Sequence, residues 1–404
     1  MLSFTEAQQH ILNISFTCSV ENISITHAHN RILSQNVYAM YPIPRWNNSA
    51  MDGYAIRYAD IDQNQHPQCF PIVGTIPAGC TEKIELPANS AIRIFTGSPL
   101  PIYADTVIIQ ENVLTEIDEH GTSCIKFTHV PKKWDNCRIA GEEIEQNSLA
   151  LYKGTRLTPS AIALAISIGV RSVEVYKAPK IAILSTGDEL KDIDSPLEQG
   201  QIWATNNISL GLALQEIGCT TIDCGIAKDN LPDTIKAFQK AVNSADIIIS
   251  TGGVSVGEYD MVLRALVDQN ATLDFWKVKM KPGKPLAVGK IDNKPFFALP
   301  GNPVSCMVSF YQFIRPFILR NMGVQSPNLR KIVGILQENI TKKGDRLEFF
   351  RVTLEHTDTG TWVKSTGNQS SAWLSSLCTA QGFLAISENT TLLAGQEVVV
   401  ELLP

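Results

Sequence analysis

The chain has 404 residues, a formal net charge of −6 and 44% hydrophobic residues, which is typical of a globular protein with about two to four domains. The acidic balance disfavours broad affinity for nucleic acid, so an anion site has to be a local basic patch. The longest apolar run, residues 161–170, is too short to cross a membrane, and the first twenty residues lack a basic signal-peptide segment. We therefore expect a cytoplasmic protein without a membrane or nucleic-acid partner.

The cysteines indicate a reducing environment. There are nine, no C-x-x-C occurs, and the closest pair is Cys219 and Cys224. This spacing argues against a zinc ribbon and favours a reduced intracellular compartment over a disulfide scaffold.

The first half of the chain is predicted to contain a helix, then a β-rich segment, then a second helix. Ser3 and Glu6 have capping-box spacing, which predicts a helix over 7–14. Residues 46–140 carry frequent Pro and Gly and short β-branched runs, which indicate a β-rich module. A second helix is predicted from Thr158 and Pro159 to Gly169.

From Lys180 onward the chain alternates between strands and helices. Strands are predicted over 181–184, 221–226, 246–250 and 295–298, and helices over 208–217, 231–242, 261–267 and 302–322. Such alternation is typical of a parallel sheet covered by helices. Residues 323–327 are a predicted linker, and the remainder predicts a small β domain.

Residues 250–260 join a predicted strand to a predicted helix through a turn that contains Gly252, Gly253 and Gly257. Backbone N–H groups at such a turn form a cradle for an anion, usually a phosphate. The segment is neither a P-loop nor a dinucleotide fingerprint. The alternative is an ordinary tight turn between strand and helix.

Acidic residues follow three predicted strands: Asp188 and Glu189, then Asp229, then Asp260. Ligands bind at the carboxyl ends of parallel strands, and carboxylates gathered there suit Mg²⁺. The alternatives are a turn role for Asp188, a helix cap for Asp229 and a first-turn position for Asp260.

A lysine cluster and a second helix start come next. Lys277, Lys279 and Lys281 would share one face of a strand, with Lys284 on a Pro-Gly turn, and together they would attract phosphate or an oxyanion. The alternative is an edge strand that lysines protect from aggregation. Asn302 and Pro303 predict a capped helix whose N-terminus could also bind an anion.

Other residues favour no particular chemistry. Asp52 precedes Gly53 in what is, from turn chemistry alone, an ordinary Asp-Gly turn. The seven histidines form no H-x-x-x-H, and the absence of G-x-S-x-G disfavours a hydrolase triad.

Six segments, in order, resemble the MoeA family of molybdopterin molybdenumtransferases, which is related to the E domain of gephyrin. They are residues 49–55, 95–97, 185–190, 251–257, 281–285 and 299–305. The resemblance implies a multi-domain α/β and β fold. Its parts are a discontinuous helical linker domain (1–45 and 141–178), a β-rich domain (46–140), a MogA-like α/β domain with a mainly parallel sheet (179–325) and a C-terminal β-barrel-like domain (326–404).

The resemblance also implies an activity. Members insert molybdate into adenylylated molybdopterin, and a Mg²⁺-dependent hydrolysis releases AMP and leaves the molybdenum cofactor. An elongated homodimer with sites between subunits is implied, with a MogA-like adenylyltransferase and molybdoenzymes as protein partners. The alternatives are a non-catalytic gephyrin-like scaffold and a molybdopterin adenylyltransferase, and the presence of the acidic residues favours the transferase. Molybdate and tungstate stay open as substrates.

Site roles carried over by the resemblance fall into four groups. Asp52 and Thr96 of one subunit would face Glu189, Asp229 and Asp260 of the other, with Glu189 and Asp260 as the Mg²⁺ ligands. The loop with Gly252, Gly253, Ser255 and Gly257 would form one wall of a pyrophosphate site. Lys277, Lys281 and Lys284 would hold phosphate and molybdate, beside a wall shaped by Pro300 and Pro303. Arg351 and Ser371 would complete an oxyanion pocket.

The chain departs from the family pattern in two places. Glu143 stands where an aspartate is common, and Asn368 stands in a Gly-His-Gln pattern, which here reads Gly367-Asn368-Gln369. The role of Glu143 is therefore open.

Overall fold

The computed structural model describes residues 1–62, 68–117, 121–127, 129–254 and 261–404. The chain begins with α1 (Phe4–Leu12), β1 (Val20–Ser24) and β2 (Val37–Tyr38). The predicted capping box is confirmed, because the Ser3 hydroxyl accepts from Glu6 N and the Glu6 carboxylate accepts from Ser3 N. Ala7 and Ile11 of α1 pack into the core of the α/β unit described below.

The β-rich module follows. Its strands are β3 (Asn48–Ser49), β4 (Gly53–Ile56), β5 (Cys69–Ile76), β6 (Ala91–Ile94), β7 (Thr106–Ile109), β8 (Val113–Ile117), β9 (Ser123–Phe127) and β10 (Cys137–Arg138). Six of them form a mixed sheet in the order β7-β4-β6-β5-β9-β8. A disulfide joins Cys69 to Cys124 across β5 and β9, a pairing that the sequence did not predict, and the other seven cysteines are free.

The chain then returns to its N-terminal part through β11 (Leu149–Leu151), α2 (Pro159–Ser167) and β12 (Ser172–Tyr176). Thr158 caps α2 by accepting from Ala161 N, as predicted. Antiparallel pairing of β12 with β1 and of β11 with β2 joins the two segments that flank the β-rich module. The exact domain boundaries stay predictions.

The α/β unit holds the largest core and the longest run of elements. These are β13 (Lys180–Thr186), β14 (Leu190–Lys191), β15 (Ile202–Trp203), α3 (Thr205–Glu216), β16 (Thr220–Ala227), α4 (Leu231–Ser244), β17 (Ile247–Thr251), α5 (Met261–Asp268), β18 (Thr272–Trp276), β19 (Met280–Lys281), β20 (Ala287–Ile291), β21 (Lys294–Leu299), α6 (Pro303–Ser309) and α7 (Arg315–Asn321), with a π-helical turn at Phe310–Ile314. Six strands form a sheet in the order β16-β13-β17-β21-β20-β18. The pairings from β16 to β21 are parallel and the last two are antiparallel, which confirms a mainly parallel sheet.

The predicted lysine-bearing strand is wrong. Strand β18 ends at Trp276, and Lys277 has a φ of 75°, which is incompatible with an extended strand. Residues 280–281 form β19, which pairs with a strand of the C-terminal domain instead of continuing β18. Lys277 and Lys281 therefore do not share a strand face.

The C-terminal domain is a closed barrel. It contains β22 (Lys331–Leu336), β23 (Ile340–Thr341), β24 (Leu347–Thr357), β25 (Gly360–Ser365), α8 (Leu374–Cys378), β26 (Gly382–Ile386), β27 (Thr391–Leu392) and β28 (Glu397–Leu402). The order β24-β25-β22-β28-β26 closes through pairing of β26 with β24. Among the described residues, no helix has the length and apolar character needed to span a bilayer.

Candidate active site

A cavity of about 970 Å³ opens at the carboxyl ends of β13, β17 and β21. The chain runs from β13 to β16 on one side and then to β17 on the other, so the cavity lies at the point where the strand order reverses. Its lining comes mainly from the ends of these strands, from residues 202–206 and from the start of α6. The lining residues are Ser185, Thr186, Gly187, Glu189, Leu190, Ile202, Trp203, Ala204, Thr205, Asn206, Asp229, Thr251, Gly252, Gly253, Val254, Met261, Pro285, Pro300, Gly301, Asn302, Pro303 and Ala372.

Two glycines after β17 let the backbone approach the end of β13. Gly252 and Gly253 have φ values of 85° and 63°. A Cβ at Gly253 would lie 2.5 Å from Val262 Cγ2 and 2.7 Å from Thr186 Oγ1. A side chain at this position is therefore excluded both by backbone conformation and by space. Ser255, Gly257 and Asp260 lie outside the described residues.

Glu189 and Asp229 supply acidic side chains to the cavity. Asp229 N donates to Asp188 Oδ1 at 3.1 Å, which brings the loops after β13 and β16 together. Partial burial has the largest effect on the pKa of Asp229 and raises it. A hydrogen bond from the Asp188 backbone lowers this pKa, the negative charges of Asp188 and Glu189 raise it again, and the net shift is upward. Asn230, not Asp229, caps α4, so the capping alternative for Asp229 is wrong.

This concentration of negative charge suits a cation. Mg²⁺ commonly binds one or two carboxylates together with ligand phosphates. Within the described ranges, no group of three or more His, Cys, Asp or Glu side chains could hold a metal ion by itself. Glu189 and Asp229 therefore do not by themselves form an all-protein metal site among the residues that the structure describes.

A buried hydroxyl and amide network, which sequence reasoning missed, supports the cavity floor. The Ser185 hydroxyl donates to Asn207 Oδ1 at 2.5 Å and lies 2.7 Å from Thr251 Oγ1. Asn207 Nδ2 then donates to Asp223 Oδ1 at 3.1 Å. These bonds fix the ends of β13 and β17 relative to α3. The sequence signal was available, because Ser185 directly follows the apolar run 181–184 and Thr251 is the last residue of β17.

Two buried polar atoms of the cavity lining have no hydrogen-bond partner in the part of the chain that the structure describes. They are Thr186 Oγ1 and Asn206 Oδ1. Buried polar groups in folded proteins are normally paired, so each is a candidate contact for a ligand.

None of the predicted binding lysines appears among the lining residues. Lys277 Nζ lies 3.6 Å from the centre of the Trp276 ring, and Lys281 Nζ is 2.8 Å from Glu348 Oε1. Lys284 precedes the lining residue Pro285. The single chain therefore does not bring Lys277, Lys281 and Lys284 together as a free basic cluster at the cavity.

Pro300 and Pro303 line the cavity, and their predicted role beside phosphate and molybdate stays a prediction. Asn302 is the N-cap of α6 and Pro303 its first residue, as predicted, but the Asn302 side chain makes no capping hydrogen bond. Its Nδ2 donates to Ser371 Oγ at 3.1 Å, and Val304 N donates to Ser371 O at 3.2 Å. Ser371 therefore links the C-terminal domain to the start of α6, beside the lining residue Ala372.

Arg351 is fully buried and contacts the segment of residues 368–371, which is called the Ser371 loop. Its guanidinium donates to Asn368 O at 3.2 Å, Ser370 O at 3.1 Å and Ser376 Oγ at 3.1 Å. Burial lowers the pKa of Arg351, and the nearby Glu348 opposes this effect. In the single chain Arg351 organises residues 368–370. Its predicted place in an oxyanion pocket stays a prediction.

Asp52 and Thr96 form a pair away from the cavity lining. Asp52 Oδ1 accepts from Thr96 N at 2.8 Å and from Thr96 Oγ1 at 2.9 Å, and these bonds lower the pKa of Asp52. Glu143 is exposed, and its backbone N–H donates to Ile43 O at 3.0 Å. The single chain brings none of these three side chains to Glu189 or Asp229.

Comparison with known proteins gives a consistent result along the chain. Residues 2–169 match the MoeA N-terminal region (domain I and II), residues 182–320 match a "Probable molybdopterin binding domain", and residues 333–403 match the MoeA C-terminal region (domain IV). A Haemophilus influenzae protein named molybdopterin molybdenumtransferase is 36% identical over 99% of this chain and 98% of that protein. A Bacillus subtilis protein of the same name is 30% identical over 95% of this chain and 90% of that protein.

A solved structure extends the likeness to three dimensions. The molybdopterin biosynthesis MoeA protein of Pyrococcus horikoshii OT3 superposes with a TM-score of 0.86 at 28% identity, and the match covers both chains completely. The fold and the cavity define a multi-domain protein built around a MogA-like α/β domain. The chain belongs to the MoeA family.

Proposed function

We propose that this protein is a molybdopterin molybdenumtransferase that acts on adenylylated molybdopterin and molybdate and releases AMP in a Mg²⁺-dependent step. The observation that carries the proposal is the cavity at the carboxyl ends of the parallel strands, where glycine-bearing turns meet the carboxylates of Glu189 and Asp229. Full-length likeness to relatives named for this activity supports it.

The substrate's pyrophosphate would lie against Gly252 and Gly253 after β17, which carry no side chains, and their backbone N–H groups would be its donors. Glu189, with Asp260, would hold Mg²⁺, and Asp229 would add negative charge beside them. The metal ion would neutralise the phosphoanhydride and make it more susceptible to water. The residues themselves bind and orient the phosphates.

The oxyanion side of the site stays a prediction. Lys277, Lys281 and Lys284 would hold phosphate and molybdate, and Lys281 would have to exchange its contact with Glu348 for the anion. A dianion that leaves water requires such positive charge. Arg351 would act there by holding the Ser371 loop in place.

The activity test is incubation with adenylylated molybdopterin, molybdate and Mg²⁺, with AMP measured over time. We expect AMP release that requires both molybdate and Mg²⁺, and a loss of at least about 100-fold in Glu189→Gln. No AMP release would favour a gephyrin-like scaffold. In a separate reaction with molybdopterin and ATP, production of adenylylated molybdopterin would favour an adenylyltransferase.

We further propose that the protein is a cytoplasmic homodimer with shared sites, in which Asp52 and Thr96 face the cavity of the opposing subunit. Their absence from the cavity lining of their own chain supports this arrangement. Asp52→Ala and Glu189→Gln would each be inactive. Subunit exchange between them should restore about one quarter of wild-type activity, because half of the dimers are mixed and each has one intact site. No restoration, despite mixed dimers, would contradict shared sites.

A further inference from the structure

Trp203 is a large aromatic side chain that lines the cavity while 48% of its surface stays exposed. It lies on β15, which pairs in parallel with β14 directly after Glu189. Ile202 N donates to Glu189 O at 2.8 Å, and Ala204 N donates to Lys191 O at 2.9 Å. The backbone therefore ties the position of the indole to that of the acidic residue.

The indole ring is also held in orientation. Trp203 Nε1 donates to Ser195 O at 3.1 Å, so the polar atom of the side chain already has a partner. The exposed part of the ring then offers an apolar surface for stacking. A ring fixed in this way loses little conformational entropy when a planar ligand stacks on it.

Asn206 adds a polar contact three residues later. Its Nδ2 donates to Gly301 O at 2.8 Å, which fixes the plane of the amide. Its Oδ1 is buried and has no partner among the residues that the structure describes. A fixed, buried acceptor without a protein partner is therefore a candidate for a hydrogen bond from a ligand donor.

We propose that Trp203 and Asn206 form a subsite for a fused-ring heterocycle that carries an exocyclic amino group. The ring stacks on the indole, and the amino group donates to Asn206 Oδ1. Adenine and pterin share this chemistry, and both occur in adenylylated molybdopterin. The inference rests on the proposed function for the source of the ring, and the experiment separates the two sources.

The first experiment is ¹⁹F NMR of the full-length protein labelled with 5-fluorotryptophan, with AMP and neopterin as separate probes. Trp203→Phe assigns the Trp203 resonance. The reference is Trp362, whose indole N–H bonds to Thr357 Oγ1 in the C-terminal domain. We expect one probe to shift the Trp203 resonance saturably and leave that of Trp362 in place. No shift of Trp203 with either probe would overturn the inference.

Variants then test each contact. Trp203→Leu should weaken binding of the active probe on the order of tenfold, because stacking is lost, whereas Trp203→Phe should stay close to wild type. Asn206→Ala should abolish the preference for AMP over IMP, or for neopterin over a lumazine that lacks the amino group. Equal binding by Trp203→Leu and wild type would contradict the stacking role.

These binding readouts are independent of turnover. If a probe shifts the Trp203 resonance but the protein releases no AMP, the subsite is supported and the proposed function is contradicted. If Trp203→Leu turns over at the wild-type rate with an unchanged KM for adenylylated molybdopterin, the proposed function is supported and the subsite is contradicted.

Discussion

Arg351→Met tests whether Arg351 acts by holding the Ser371 loop. Methionine has similar length and fits an apolar interior, but it cannot donate to Asn368 O, Ser370 O or Ser376 Oγ. Each buried acceptor left without a donor costs about 1–3 kcal/mol. Removal of a buried charge offsets part of this cost, so we expect a net loss of about 3 kcal/mol in local stability.

Hydrogen–deuterium exchange measures the effect where it should occur. A loss of about 3 kcal/mol corresponds to roughly a 100-fold increase in exchange for amides protected by opening of this region. The increase should appear in peptides that cover Leu347–Thr357 and residues 367–371, and much less in the α/β sheet. AMP release should fall with it, because Ser371 contacts Asn302 beside the cavity.

Arg346→Met is the matched control. Arg346 is only partly buried, and its hydrogen bond to Met280 O is long, at 3.5 Å. The same chemical change should therefore alter stability by no more than about 0.5 kcal/mol. If Arg351→Met loses activity while exchange stays at the wild-type rate, Arg351 acts on the substrate directly and the positioning role is refuted.

Three further predictions follow from the structure. Gly253→Ala should destabilise the α/β unit by about 1–3 kcal/mol, because the new Cβ collides with Val262 and the backbone has a positive φ. Gly74→Ala is the control and should leave the melting temperature almost unchanged, because a Cβ at Gly74 would meet no atom within 4 Å. Equal effects of the two substitutions would contradict the steric reasoning. Lys281→Met should lower the free energy of unfolding by about 1–2 kcal/mol because it removes the ion-pair partner of the buried Glu348. Addition of Glu348→Gln should recover most of the loss in melting temperature. An unchanged melting temperature in Lys281→Met, together with weaker molybdate binding, would instead support a substrate role for Lys281. The pKa of Asp52 is lowered by the Thr96 backbone and hydroxyl donors, so the stabilisation from the ionised Asp52 carboxylate is present above its ordinary pKa and is lost as pH falls through the lowered value. Protection of the Thr96 amide from exchange should follow this titration and become independent of pH in Asp52→Asn. The same pH dependence in both proteins would exclude Asp52 as the cause.

Local patterns in the sequence were sufficient to predict most strands and helices of the α/β unit. Apolar runs that end in Thr186 and Thr251 form adjacent parallel strands, so the turns that follow them meet at one edge of the sheet. Ser3 and Thr158 cap helices because the cap bonds involve residues only three positions away. Such contacts depend on neighbours in the sequence, which makes them predictable.

Contacts between distant residues account for the errors. Met280 and Lys281 pair with Leu347 and Glu348 of the barrel, so the lysine segment leaves the sheet that its alternation suggested. Asn302 is the N-cap residue of α6, but its side-chain amide donates to Ser371, which lies 69 positions further along the chain, and not to the helix. Burial of Arg351 likewise depends on closure of the barrel and on the backbone of residues 368–370. No local pattern specifies these partners.

The most direct test of the central claim is the ratio of molybdenum bound to molybdopterin to AMP released, measured in one reaction of the wild-type protein with adenylylated molybdopterin, molybdate and Mg²⁺. The account predicts one molybdenum transferred for each AMP released, and neither product without molybdate. AMP release that proceeds at the same rate without molybdate, or without transfer of molybdenum, would contradict it.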